Sequence, residues 1–148
     1  MTMRADKLES LARAAAEIRR RDVEVMANFS AFPRFLWSDA KNSDIVFSKV
    51  QIRDAYRKIL AEVEAEKLNS TNDESLILLA EAIIDFLRHA SAICDRYIDV
   101  ANTMDAIAVR HPIRAFIAHF RKIRAIHREE KIMDEAARRI KFYWPCHQ

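Results

Sequence analysis

Apolar residues recur along this chain at alternating spacings of three and four, the period that places side chains on one face of an α-helix. The pattern is sharpest in the third of four such segments. There Leu76, Leu79, Ile83, Phe86, Ala90, Ile93, Tyr97, Val100, Met104 and Ile107 alternate 3 and 4 without a miss. This seam continues through four heptads and predicts a helix roughly 50 Å long. Thr71 and Glu74 have the spacing of a capping box at its start. A first helix is expected from about Asp6 to Asn28, with Leu8, Leu11, Ala15, Ile18, Val25 and Phe29 on its apolar face. Asp22 interrupts that face in a gap of seven between Ile18 and Val25. A second helix is expected from Ser43 or Asp44 to about Leu68, burying Ile45, Ile52, Tyr56, Ile59 and Val63. Asn69 is a candidate for the left-handed position that ends it. After His111, Pro112 fits the first turn of a fourth helix, where its missing N–H costs nothing. That helix runs to about Phe142, with a kink or short break expected near Glu129-Glu130, where the apolar phase drifts. Four long amphipathic helices with few connections predict a single domain over residues 1–148, an all-α, antiparallel four-helix bundle.

Composition strengthens this reading. The chain has 148 residues and no Gly, where average usage gives roughly ten. Hairpins, phosphate-cradling loops and dinucleotide fingerprints all depend on Gly, so those functional classes are excluded. Two cysteines, Cys94 and Cys146, have no zinc spacing and read as free thiols in a reducing compartment. The N-terminal segment has no apolar core of a signal peptide, and no run is long and apolar enough to span a bilayer. A cytoplasmic location, with no membrane contact, is the expectation.

Charge is uneven. Residues 110–141 hold ten Lys or Arg against four Asp or Glu, a net of +6, while the whole chain is +3. The stretch RHPIRAFIAHFRKIRAIHR (110–128) has six basic residues, three His and no acid. His111, His119 and His127 are eight apart, so each step turns the side chain about 80° and the three do not converge on a metal. Asp85 and His89 share a face but stand alone as a pair. His119 and His127 flank an apolar face of Phe116, Phe120 and Ile123, as core or boundary histidines do. Arg114 to His119 and Arg121 to His127 have the Arg-x4–6-His spacing of a family of small helical RNases, but 17 Arg make such matches frequent by chance. No metal, cofactor, small-molecule substrate or catalytic constellation is expected, and the chain reads as a non-enzyme.

On a helical wheel, Arg110, Arg114, Arg121, Arg124, Arg128 and Lys131 fall within an arc of about 100°, with Ile117 between them. They make a stripe roughly 30 Å long. Guanidinium groups bond phosphate oxygens bidentately, so the stripe suits a nucleic-acid backbone, RNA or DNA. The alternative is that this basic flank packs on the acidic third helix, which carries Glu81, Asp85, Asp95 and Asp99.

Two short patches add a resemblance. Gln51-Ile52-Arg53 at a helix start and the closing Lys141-Phe142-Tyr143 resemble the small α-helical subunit of type III-A CRISPR effector complexes, the Csm small-subunit family. The resemblance implies an all-helical, non-catalytic, RNA-binding subunit that stacks along a nucleoprotein filament. It adds Gln51, Arg53 and Arg57 to the contact candidates. A second class of function is a protein–protein adaptor, inhibitor or chaperone. Its interface would be the aromatic connection NFSAFPRFLW, with Phe32, Phe35 and Trp37, or the third-helix seam. A seam of four heptads outruns a shorter second helix. Tyr97, Val100, Met104 and Ile107 are therefore expected to stay uncovered and to mediate a dimer or filament.

Overall fold

A computed structural model describes residues 2–29, 39–69, 73–110 and 112–145, with side chains described over 5–27, 43–69, 73–102, 113–114 and 117–145. The described residues form four helices: α1 (Thr2–Phe29), α2 (Asp39–Asn69), α3 (Glu74–Arg110) and α4 (Pro112–Phe142). No strand occurs among the described residues, and the helices pack together as an all-α four-helix bundle. Ion pairs between neighbours run in opposite order along the two helices, so each consecutive pair is antiparallel. Lys7 meets Glu66 and Asp22 meets Lys49. Lys67 meets Glu81 at 3.3 Å, Arg88 meets Glu64 at 3.2 Å and Arg57 meets Asp95 at 2.9 Å. Between α3 and α4, Arg139 meets Asp85 and Lys122 meets Asp99, both at 2.8 Å.

α3 is the central element. It packs against α2 and α4 along their lengths, while α1 lies mainly on α2 and more lightly on α3. Among the described residues, the backbone of α4 makes no close approach to α1 or α2. This explains why α3 buries more than its seam. Leu76, Leu79, Ile83, Phe86, Ala90, Ile93 and Val100 are buried, and so are Ala80, Ile84, Leu87, Cys94 and Ala101 on adjoining positions. A helix with partners on two sides needs an apolar band wider than one heptad stripe. The expected apolar face of α2 is buried at all five positions.

The structure corrects several expectations at the helix ends. α2 begins at Asp39, a turn earlier than the apolar pattern suggests. Its N-terminal turns reach the C-terminal half of α3, where Ile45 and Val46 pack against Ala101. Val100 is buried in the main core and Tyr97 packs against it, so neither forms an uncovered interface. Met104 and Ile107 lie on the helical backbone of α3, but their side chains fall outside the described residues, as do Phe32, Phe35 and Trp37 altogether. Asn69 is the last helical residue of α2, and no described residue takes a positive φ. α4 runs unbroken past Glu129-Glu130.

Asp73 caps α3, while Thr71 of the expected capping box lies outside the described residues. Its carboxylate accepts the Leu76 N–H at 3.3 Å and its carbonyl accepts the Ile77 N–H at 3.0 Å. An acidic cap also meets the positive end of the helix dipole. Asp73→Ala is expected to lower unfolding free energy by about 1 kcal/mol in urea denaturation, with the slope unchanged.

Candidate nucleic-acid interface

α4 has two faces of different chemistry. The inner face docks on α3 through Ile126, Met133 and Ala136, all buried. Ion pairs line its flank: Lys122 to Asp99, Arg139 to Asp85, and Glu129 to both His89 and Arg96. The α3 acids are thus shared between the two neighbours: Asp85 and Asp99 pair with α4, and Glu81 and Asp95 with α2.

Glu129 is the most constrained of them. His89 Nδ1 lies 2.5 Å from Glu129 Oε2, and Arg96 donates to Oε1 at 3.3 Å. Burial pushes the Glu129 carboxyl up, but the hydrogen bonds and charges of His89 and Arg96 outweigh it and hold the group below its ordinary 4.5. A depressed carboxyl stabilises the fold above its unfolded value, and that contribution is lost as pH falls through the folded value. Glu129→Gln is therefore expected to cost about 1 kcal/mol near neutral pH. The gap between wild type and variant closes as pH drops below 4.5. Thermal melts across pH 3–7 check this, and a gap independent of pH contradicts it.

The outer face carries the stripe. Arg114, Arg121, Arg124, Arg128 and Lys131 are all exposed, and none has an acidic partner among the described residues. The Arg124 guanidinium lies 5.9 Å from the centre of the Phe120 ring. Arg121, Arg124, His127, Arg128 and Lys131 frame a shallow depression of about 470 Å³. The backbone at Arg110 is helical, but its side chain lies outside the described residues. Of the two arrangements open from sequence, exposed stripe or stripe packed on α3, the structure has the exposed one. Lys122 and Arg139 make the ion pairs to α3 instead.

Not every candidate joins this face. Arg53 bonds Asp95 at 3.0 Å and Asp54 at 3.4 Å, and Arg57 bonds the second oxygen of Asp95 at 2.9 Å. Both sit on α2, which the backbone of α4 does not closely approach, and both are engaged by Asp95. Gln51 is exposed beside a separate groove between α1 and α2, with Ile18, Arg21 and Ser48. The structure therefore does not bring Gln51, Arg53 or Arg57 to the α4 stripe.

Some features of the face were not legible as such in the sequence. Ile113, Ile117 and Phe120 are 78%, 47% and 55% exposed, so Phe120 does not belong to an inward apolar face with Ile123. His127 is exposed among the cations rather than at a core boundary. The available signal was that Ile113, Ile117 and Phe120 share a helix face different from that of Ile126, Met133 and Ala136, and two such faces cannot both meet α3. Among the described residues, no group of three or more His, Cys, Asp or Glu is placed to hold a metal ion, and no helix is long and apolar enough to cross a membrane.

No family model, curated protein or solved structure matches this chain.

Proposed function

We propose that this chain is a non-enzymatic helical subunit that binds the phosphate backbone of RNA or DNA through the outer face of α4, within a larger cytoplasmic nucleoprotein assembly. The observation that carries the reading is the exposed row Arg114, Arg121, Arg124, Arg128 and Lys131, without acidic partners among the described residues, in a chain that has 22 acidic side chains. Like charges three and four apart on a helix repel by a few tenths of a kcal/mol per pair. A bound polyanion relieves that repulsion and releases its own counterions. The row is straight because the helix is, and five cations along about 25 Å are spaced to follow several successive phosphates. The resemblance of Gln51-Ile52-Arg53 and Lys141-Phe142-Tyr143 to the Csm small-subunit family agrees with this reading, as does its implication of RNA and of repeated copies in a filament.

Fluorescence anisotropy with single- and double-stranded probes over a salt series tests it. The expected result is binding at low salt with a steep negative slope of log K against log salt. No binding at low salt, or a flat response, overturns it.

A second reading has its own support. Ile113, Ile117 and Phe120 form an exposed apolar patch at the start of α4, and clustered exposed apolar side chains mark protein contacts. In that reading the chain is an adaptor or inhibitor, and α4 docks on another protein.

A further inference from the structure

The cations of α4 are not evenly distributed. Arg114 stands alone, two turns before the next basic residue of the stripe. Arg121, Arg124, Arg128 and Lys131 instead crowd into about 15 Å of helix and frame one depression of about 470 Å³, with the His127 imidazole on its rim. No described acid forms an ion pair with them. Glu129, the acid next in sequence to Arg128, is turned to α3 and held by His89 and Arg96. Glu130, Asp134 and Glu135 lie on the same helix, yet none forms an ion pair with these four cations among the described residues. These four side chains frame one depression, so their donors can converge on a single volume, where an internal phosphodiester brings only one negative charge. Their charge is met by a ligand that concentrates several phosphate oxygens in one place. Three guanidinium groups offer planar donor forks suited to phosphate oxygens, and the ammonium of Lys131 adds a point charge.

We infer that the Arg121–Arg124–Arg128–Lys131 depression is a subsite for a clustered phosphate group, the triphosphate end of a nucleic-acid strand or a free oligophosphate. This rests on the phosphate-binding reading of α4 and narrows it: the depression selects for phosphate density, while Arg114 contributes to backbone contact in general.

The test uses the full chain and four probes. Three are one labelled single strand of about eight nucleotides, within the site size of one small binding module, bearing a 5′-hydroxyl, a 5′-monophosphate or a 5′-triphosphate. The fourth is inorganic tripolyphosphate, followed by calorimetry. The triphosphate strand is expected to bind about fivefold or more tighter than the hydroxyl strand at one salt concentration, from the one or two added charge contacts. Arg124→Gln with Arg128→Gln is expected to abolish that difference, whereas Arg114→Gln weakens all three strands alike and keeps it. Equal affinity for all three ends with a steep salt slope overturns the subsite and leaves backbone binding standing. Saturable tripolyphosphate binding without strand binding supports the subsite, assigns it to free oligophosphate and overturns the nucleic-acid reading. Binding of neither overturns both.

Discussion

Replacing Arg121, Arg124 and Arg128 together with Gln is expected to weaken RNA or DNA binding about 100-fold near 0.15 M salt and to lower the slope of log K against log salt by about 3. Each phosphate contact releases about 0.9 of a counterion, which at that salt is worth roughly fivefold in affinity; three contacts compound to about 100. The variant is expected to remain folded. The three side chains are exposed and have no ion pair among the described residues, Gln is a good helix former, and the change removes like-charge repulsion. Two controls locate the effect. Arg53→Gln with Arg57→Gln leaves the slope unchanged, because Asp95 already holds both side chains. Phe120→Ser separates the two functional readings. It leaves the salt slope intact if α4 binds a phosphate backbone, and it abolishes capture of a protein partner if the apolar patch is the interface. A triple variant with an unchanged slope removes the stripe from the binding surface.

Lys49→Met is expected to destabilise the fold by about 3–5 kcal/mol, a large share of the roughly 5–15 kcal/mol that holds a domain of this size together. Lys49 and Asp22 form an ion pair between α2 and α1 with side chains 1% and 2% exposed. The Lys49 ammonium also sits 4.4 Å from the centre of the Tyr97 ring on α3, so this one group touches three helices. Arg19 reaches Asp22 at 3.5 Å, but it is a third exposed and cannot replace a buried partner. Removing Lys49 leaves the Asp22 carboxylate buried beside the Tyr56 hydroxyl and the Cys94 thiol, both of which burial and Asp22 already push up, the thiol to about 12. Neither supplies a positive charge. Asp22→Leu with Lys49→Met is expected to recover most of the loss, because no charge then remains to be compensated and apolar replacement of a buried pair is often neutral or stabilising. Urea denaturation of both single variants and the double variant gives the coupling directly. If the double variant loses as much as the two single variants combined, the pair is not coupled and the account fails. α1 bears most of the consequence, since it has the lightest packing of the four helices and this pair ties it to α2.

Helical periodicity alone determined that the chain is all-α, that it has four helices and which residues face the core. The alternation from Leu76 to Val100 and the face from Ile45 to Val63 are local patterns, and a period of 3.6 admits few other structures. The absence of Gly reinforced this by removing the turns that sheets need. Even the buried Asp22–Lys49 pair left a trace. Asp22 falls between Ile18 and Val25, and Lys49 between Ile45 and Ile52, at the three-and-four spacings of each inner face. That the two charges meet is not local information, because it depends on the register of α1 against α2.

The candidate site divides in the same way. The stripe on α4 was legible, because a wheel needs only the helix. Its exposure was not, because α3 carries enough acid to hold it, and only packing decided that Lys122 and Arg139 pair with that acid while Arg114, Arg121, Arg124, Arg128 and Lys131 face outward. Tertiary structure also covered Val100, which is buried in the main core, because how far one helix overlaps its neighbours is set by their packing. It exposed Ile113, Ile117 and Phe120, since a helix with a single partner buries only one of two apolar phases. Periodicity states which residues share a face; which face meets which neighbour is set by the rotation of each helix about its axis, a property of the assembled bundle and not of any one segment.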